Sequence, residues 1–213
     1  MIKVAVFPIP DSVNFPGIPC PLHIFEPRYR RMVRHCIDNE LSMGVCNTAK
    51  VLRESDHNQS MENVLNSNQS TYKPMEIFSA GPVTLLEELE DGRMVIEVAI
   101  DTRLRLKTEL QTLPFNIWAC EELPDEAMTG NQEHDLVQTK QKILKRLLVM
   151  THANQENQQL LQSDYWQNMA AVDFSFAVTG LLGLPGEIQQ EMLEMTKPTE
   201  RLQAVLALLN EKH

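Results

Sequence analysis

Apolar and polar positions along this chain change their period once, a little past the middle. In the first half the period is two. Ile2, Val4 and Val6 alternate with Lys3 and Ala5, which predicts a strand that Pro8 and Pro10 stop. Between Phe15 and Leu22, Pro16, Pro19 and Pro21 surround Gly17. That composition predicts stiff, extended chain that cannot lie inside a regular sheet. A further strand is expected around Met43 to Val51. Asp91-Gly92 separates two runs, Val83 to Glu90 and Arg93 to Ile100, with Ile96, Val98 and Ile100 on one face. The pattern predicts a tight type I′ hairpin, whose two central residues both take positive φ. Leu104 and Leu106 then alternate with Arg103, Arg105 and Lys107, and Phe115 to Leu123 returns as a last strand after Pro114.

One helix interrupts this half. Pro27 suits a first helical position, where a missing N–H is harmless, with Glu26 at the cap. Tyr29, Met32, Val33, Cys36 and Ile37 fall on one face, and Arg28, Arg30, Arg31 and Arg34 lie mostly around the other. From about Gln132 the period becomes helical throughout. Leu136, Ile143, Leu144, Leu147 and Leu148 define a long amphipathic helix. Shorter helices are expected over Leu160 to Gln167 and Ala170 to Leu182. Pro185 opens another, with Ile188, Met192 and Met195 inward, and Pro198 opens the last, with Leu202, Val205, Leu206 and Leu209 inward. The acidic stretch Glu121 to Gly130, which contains Pro124, marks the boundary between residues 1–125, rich in strands, and residues 131–213, a helical bundle. Ser55 to Ser70 is nearly all Asn, Gln, Ser and charged residues. It predicts a long polar loop spanning about 52–74.

Composition narrows the function more than the fold. The chain has 213 residues and a formal net charge of −10, which argues against nucleic acid as a general partner. The N-terminus has no long apolar run and no stretch of 18 apolar residues occurs, so neither a signal peptide nor a membrane span is expected. Cys20, Cys36, Cys46 and Cys120 show no CxxC spacing and read as small core residues of a reduced, cytoplasmic protein.

Catalytic motifs are missing where they would be informative. None of the eight glycines is followed by lysine, so the phosphate loop of an ATPase motor is absent. No GxSxG, HExxH or CxxC occurs. Cys20 and His23 are spaced like half a zinc site, and two ligands are not four; a buried thiol and a hydrogen-bonded histidine account for them. The arginines from Arg28 to Arg34 could hold an anion or an acidic peptide. A solvated helix face with local pairs, such as Glu26 with Arg30, is the favoured account of them. Glu87-Glu88 and Glu121-Glu122 fit solvated surface, Met192 and Met195 fit core, and Trp118 fits core or a sheet face. No cofactor and no metal is expected.

The run Phe15-Pro16-Gly17, followed by Pro21-Leu22-His23-Ile24-Phe25-Glu26-Pro27-Arg28-Tyr29, resembles the opening of the N-terminal domain of Lon proteases. Gly81, Val83 and Asp91-Gly92-Arg93 are similar to that family's central hairpin, Arg103-Leu104 to its next strand, and Gln190, Leu193, Glu194 and Arg201-Leu202 to its last helices. The polar stretch 55–70 looks like an insertion, and Ile100 stands where the family often has glycine. The resemblance covers essentially the whole chain. It implies an α+β fold: a PUA-like barrel or pseudo-barrel followed by a helical bundle.

In complete Lon proteases this domain precedes the motor and the protease and helps select substrates. The resemblance thus implies a non-catalytic peptide- or protein-binding module, standing alone, that acts as an adaptor or regulator in protein quality control. Its partners would be unfolded or tagged polypeptides and an ATP-dependent protease, with no membrane partner. Surface that meets a neighbouring domain in a longer protein would here support homo-oligomers. The candidate peptide-binding residues are Phe15, Pro16, His23, Glu26, Arg28 and Tyr29. An RNA-binding PUA-like module, or a peptidase-associated protein without intrinsic activity, is the alternative. Helix starts and proline turns also specify folds, so each candidate has a structural reading beside the functional one.

Overall fold

The computed structural model describes residues 1–53 and 71–211. The polar stretch 54–70, expected as a loop, lies outside the described residues. Two compact units emerge. One comprises Met1–Leu123 with Pro185–Leu193, and the other Pro124–Leu184 with the chain from Glu194 onward.

In the first unit, β1 (Ile2–Pro8), β3 (Ser42–Cys46), β6 (Ile77–Gly81), β9 (Thr102–Gln111) and β10 (Asn116–Glu122) close a barrel in the order β1-β10-β9-β6-β3. All its pairings are antiparallel except β1 with β3, which closes it. Val4, Ala5 and Val6 are all buried, although alternation marked only Val4 and Val6. The reason is a core on both sides of the strand. Val4 and Val6 join Cys46, Phe78, Ala80, Leu104 and Cys120, one set drawn from all five strands, which fills the barrel interior. Ala5 faces outward with Met43 and Val45 into a second core. Gly44 is needed for that filling, since a Cβ there would collide with the Phe78 ring.

The second core lies under a three-stranded sheet and a helix. The sheet runs β2-β8-β7, with β2 Pro19–Ile24, β7 Val83–Glu88 and β8 Met94–Ala99. Helix α1 (Pro27–Asp38) buries Tyr29, Met32, Val33 and Cys36 of the face its periodicity marks, while Ile37, at the edge of that face, is exposed. The expected strand from Met43 to Val51 is divided into β3 and β4 (Thr48–Arg53), and β4 pairs with β5 (Thr71–Pro74).

The Asp91-Gly92 turn differs from the expected type. Gly92 has φ +80°, but Asp91 is not among the positive-φ residues. Leu89 N–H donates to Arg93 O and Gly92 N–H to Leu89 O, each at 2.8 Å. This is a three-residue loop with a left-handed glycine. The Asp91 carboxylate accepts from the Arg93 backbone N–H at 3.1 Å and from its Nε at 2.7 Å, which holds Asp91 in ordinary backbone. These bonds, the backbone one foremost, keep the Asp91 carboxyl below the usual carboxylate range.

Helix α6 (Gly186–Glu194) lies almost wholly in the barrel's unit. Gln190 Nε2 donates to Ile77 O at 2.9 Å, and the buried Arg103 donates to Leu193 O at 2.7 Å, at the helix C-terminus where free carbonyls favour a cation.

The second unit is helical: α2 (Gly130–Met150), α3 (Gln155–Gln162), α4 (Asp164–Asn168), α5 (Ala171–Leu181) and α7 (Pro198–Glu211). The single helix expected from Leu160 to Gln167 breaks at Ser163, whose φ −62° and ψ 152° end α3. Leu136, Ile143, Leu147, Trp166, Phe174, Val178, Leu202 and Val205 form its core. Arg201 is fully buried there. It donates to Asp125 at 2.6 Å and to Ser175 Oγ at 2.8 Å, and it lies 3.7 Å from the Phe176 ring centroid. Lys140 donates to Gln167 O and Met169 O, closing the end of α4, and burial lowers its pKa. No helix among the described residues is long and apolar enough to cross a membrane.

Candidate functional site

The barrel interior is packed by Phe78 and its neighbours, so a binding site must lie outside it. A groove of about 360 Å³ opens where β1 ends, β2 ends and α1 begins. Three proline-rich or helix-starting segments converge there, and each has a local reason to stop being regular. β1 cannot continue through Pro8 and Pro10 as a sheet strand, and Pro27 starts a helix where β2 has just ended.

The floor is aromatic. The Phe7 and Tyr29 rings pack at 4.3 Å between centroids, with 57° between their planes. Burial pushes the Tyr29 hydroxyl pKa up to about 12, so the phenol stays neutral. Pro8, Ile9 and Pro10 form one wall, and Leu22, His23 and Phe25 the other. Tyr72 from β5 closes one end. Phe25 is 36% exposed, a large apolar side chain at the rim.

The one ionic feature of the groove is internally paired. Glu26 does not cap α1 with its side chain; it accepts from Arg28 at 2.9 Å. Arg28 in turn lies 4.5 Å from the Tyr29 ring centroid. The side chains of this pair are only 12% and 10% exposed. A pair this covered gives up much hydration, and what it provides is a fixed geometry at the start of α1. Arg30 donates to Asp91 O at 3.3 Å, over Gly92.

Of the six residues expected from sequence, His23, Glu26 and Tyr29 line the groove and Arg28 holds Glu26. Phe15 is 1% exposed and belongs to the core; neither it nor half-buried Pro16 lines the groove. Cys20 and His23 do not converge. Cys20 is buried, with its thiol pKa pushed up to about 11 by that burial, whereas His23 is exposed. Sequence reasoning missed Phe7, Ile9 and Tyr72, which come from segments far apart in the chain. The one available signal was the Phe7-Pro8-Ile9-Pro10 sequence, in which proline halts a strand with apolar residues still exposed.

A second cavity, about 430 Å³, lies at the other end of α1 among Lys3, His35, Asn39, Leu110, Gln111 and Ile117. Its walls mix charged, amide and apolar groups and have no aromatic floor.

The model of the ATP-dependent protease La (LON) substrate-binding domain family matches residues 3–211. The N-terminal domain of Mycobacterium avium complex Lon protease superposes with a TM-score of 0.70 at 14% identity, over 98% of each chain. A Lon N-terminal domain protein from Xanthomonas campestris superposes with a TM-score of 0.58 at 20% identity, over 97% of this chain and 98% of that one. At such identities the likeness speaks for the fold, a barrel with helices, and the family match rests on nearly the full length. This chain belongs to the LON substrate-binding domain family.

Proposed function

We propose that this protein is a non-catalytic polypeptide-binding module, an adaptor or regulator of protein quality control, and that the groove beside α1 receives its client. The observation that carries this reading is a groove floored by the packed Phe7 and Tyr29 rings and walled mostly by proline, Ile9, Leu22 and Phe25, in a chain of a substrate-binding family. Concave apolar surface with few polar groups suits the side chains that an unfolded polypeptide exposes. Glu26 is tied to Arg28 and the Tyr29 phenol is neutral, so neither is poised as a nucleophile beside His23. In this reading the client would be handed to an ATP-dependent protease in the cytoplasm.

The test is fluorescence anisotropy with labelled, reduced and carboxymethylated lactalbumin, a permanently unfolded chain. Phe25 is exposed and Ile9 is a partly buried residue at the margin of the core, so Ile9→Ser with Phe25→Ser should leave the fold intact, which circular dichroism checks. Affinity should fall at least about tenfold, the loss of roughly two partly buried apolar side chains. Unchanged affinity in a folded double variant would move the site elsewhere.

A further inference from the structure

The groove has a second property, set by the backbone of β2. In a central strand, alternate residues direct their N–H and C=O to opposite neighbours. Ala99 N–H donates to Pro82 O, and Arg93 O accepts from Leu89 N–H, so the odd-numbered positions of β8 face β7. The even-numbered positions therefore face β2, and Ile100 O, which accepts from Gly17 N–H, fits that parity. Register pairs Cys20 with Val98, Leu22 with Ile96 and Ile24 with Met94. These are the pairs that exchange bonds. Pro19, Pro21 and His23 direct their backbone groups away from β8, and no strand among the described residues pairs on that side.

The free edge is lopsided as a result. It presents the carbonyls of Pro19, Pro21 and His23, but only His23 has an N–H to give. Two copies of β2 laid edge to edge would set carbonyls against proline rings, so this edge is ill suited to a second copy of the chain. A foreign extended chain that brings its own N–H groups fits it. The side chain that such a strand sets opposite Leu22 falls on the face where Leu22 packs toward Phe7 and Ile9, at the groove.

We propose that an extended segment of an unfolded polypeptide adds to the edge of β2 as one more strand, pairing at His23 and Pro21 and seating the apolar residue between those two contacts in the groove. The inference rests on the groove being the client site and names what it reads there: two backbone N–H groups flanking one large apolar side chain. Backbone pairing supplies affinity for many sequences, and the groove requires a single apolar residue. The protein's net charge of −10 adds a long-range preference for clients that are neutral or cationic.

The experiment is competition against labelled carboxymethylated lactalbumin by the peptide Lys-Thr-Thr-Phe-Thr-Thr-Lys and three versions carrying one backbone N-methyl group. Methylation of either Thr adjoining Phe removes a donor and should weaken competition at least about tenfold, whereas methylation of Phe, whose N–H points to solvent, should change it less than about twofold. His23→Pro removes the edge's single donor along with a side chain of the groove wall, whereas His23→Ala removes the side chain alone; only the proline variant should lower affinity for the unmodified peptide about tenfold. Equal tolerance of all three methyl groups, or an unchanged affinity in folded His23→Pro, overturns strand addition. If the Ile9→Ser, Phe25→Ser variant still loses binding in that case, the groove reading survives alone. If the unmodified peptide fails to compete at about 1 mM, strand addition also falls.

Discussion

The three-stranded sheet of the barrel unit has two outer edges, and α1 places an arginine near each. At β2, Arg28 pairs with Glu26 in side chains that are 12% and 10% exposed, beside an apolar groove. At β7, Arg34 pairs with Glu88 in side chains that are 59% and 41% exposed. The backbone differs in the same sense. β7 carries a register shift between Leu85 and Glu87, so Leu86 is an extra residue, and acidic side chains follow it. A bulge and charges on an edge strand oppose the addition of another strand. β2 uses prolines, which block self-pairing while leaving carbonyls accessible. One edge is closed to every strand, and the other only to strands that cannot donate.

Removing Arg28 should give the largest effect. Arg28→Ala removes the charge that faces the covered Glu26 carboxylate, which should destabilise the protein by ~3 kcal/mol in urea unfolding. The contrast with β7 sharpens here. Arg34→Ala breaks a solvent-screened pair and should change stability by no more than ~1 kcal/mol. Equal effects at the two sites would erase the difference in burial on which the comparison rests.

A smaller effect is expected from altering the edge itself. Pro19→Val with Pro21→Val restores two outward N–H donors to β2. Affinity for an unfolded client should rise about tenfold, from two more bonds of ~0.5–1.5 kcal/mol each reduced by the cost of ordering the partner. Self-association, absent from the parent edge's chemistry, becomes available and should appear as concentration-dependent sedimentation. A fall in affinity with no change in assembly would show that the prolines do more than remove donors. The smallest effect belongs to β7. Leu86→Ser, 56% exposed in the parent, should leave client affinity within about twofold and stability within ~0.5 kcal/mol.

Much of the fold could be read from periodicity, because burial on one face imposes it. Tyr29, Met32, Val33 and Cys36 are the buried face of α1 as spaced. Val4 and Val6 likewise face the barrel core. Reading failed where two surfaces compete. Ala5 is buried because β1 has a core on each side, which alternation cannot show. Asp91-Gly92 took a looser turn because the Asp91 side chain binds the Arg93 backbone and so keeps its own φ negative. Within the site, the stretch His23 to Tyr29 was visible because helix start and strand end fall together there. Phe15 stands beside the Pro16-Gly17 turn yet lies in the core. Phe7, Ile9 and Tyr72 could not be placed with it, since only the closed β1–β3 pairing and the β4–β5 hairpin bring them near. The prolines between Phe15 and Leu22 did exclude a sheet interior, and β2 is an edge strand. That the open side borders a groove depends on the parity of β8.

The most direct test of client binding at the β2 edge is amide hydrogen exchange of the full chain, with and without saturating carboxymethylated lactalbumin. The account predicts slowed exchange at the His23 amide and across residues 7–9 and 22–29, with β7 unchanged. Slowing confined to β7 or to the helical unit, with His23 exchanging as in the free protein, would contradict it.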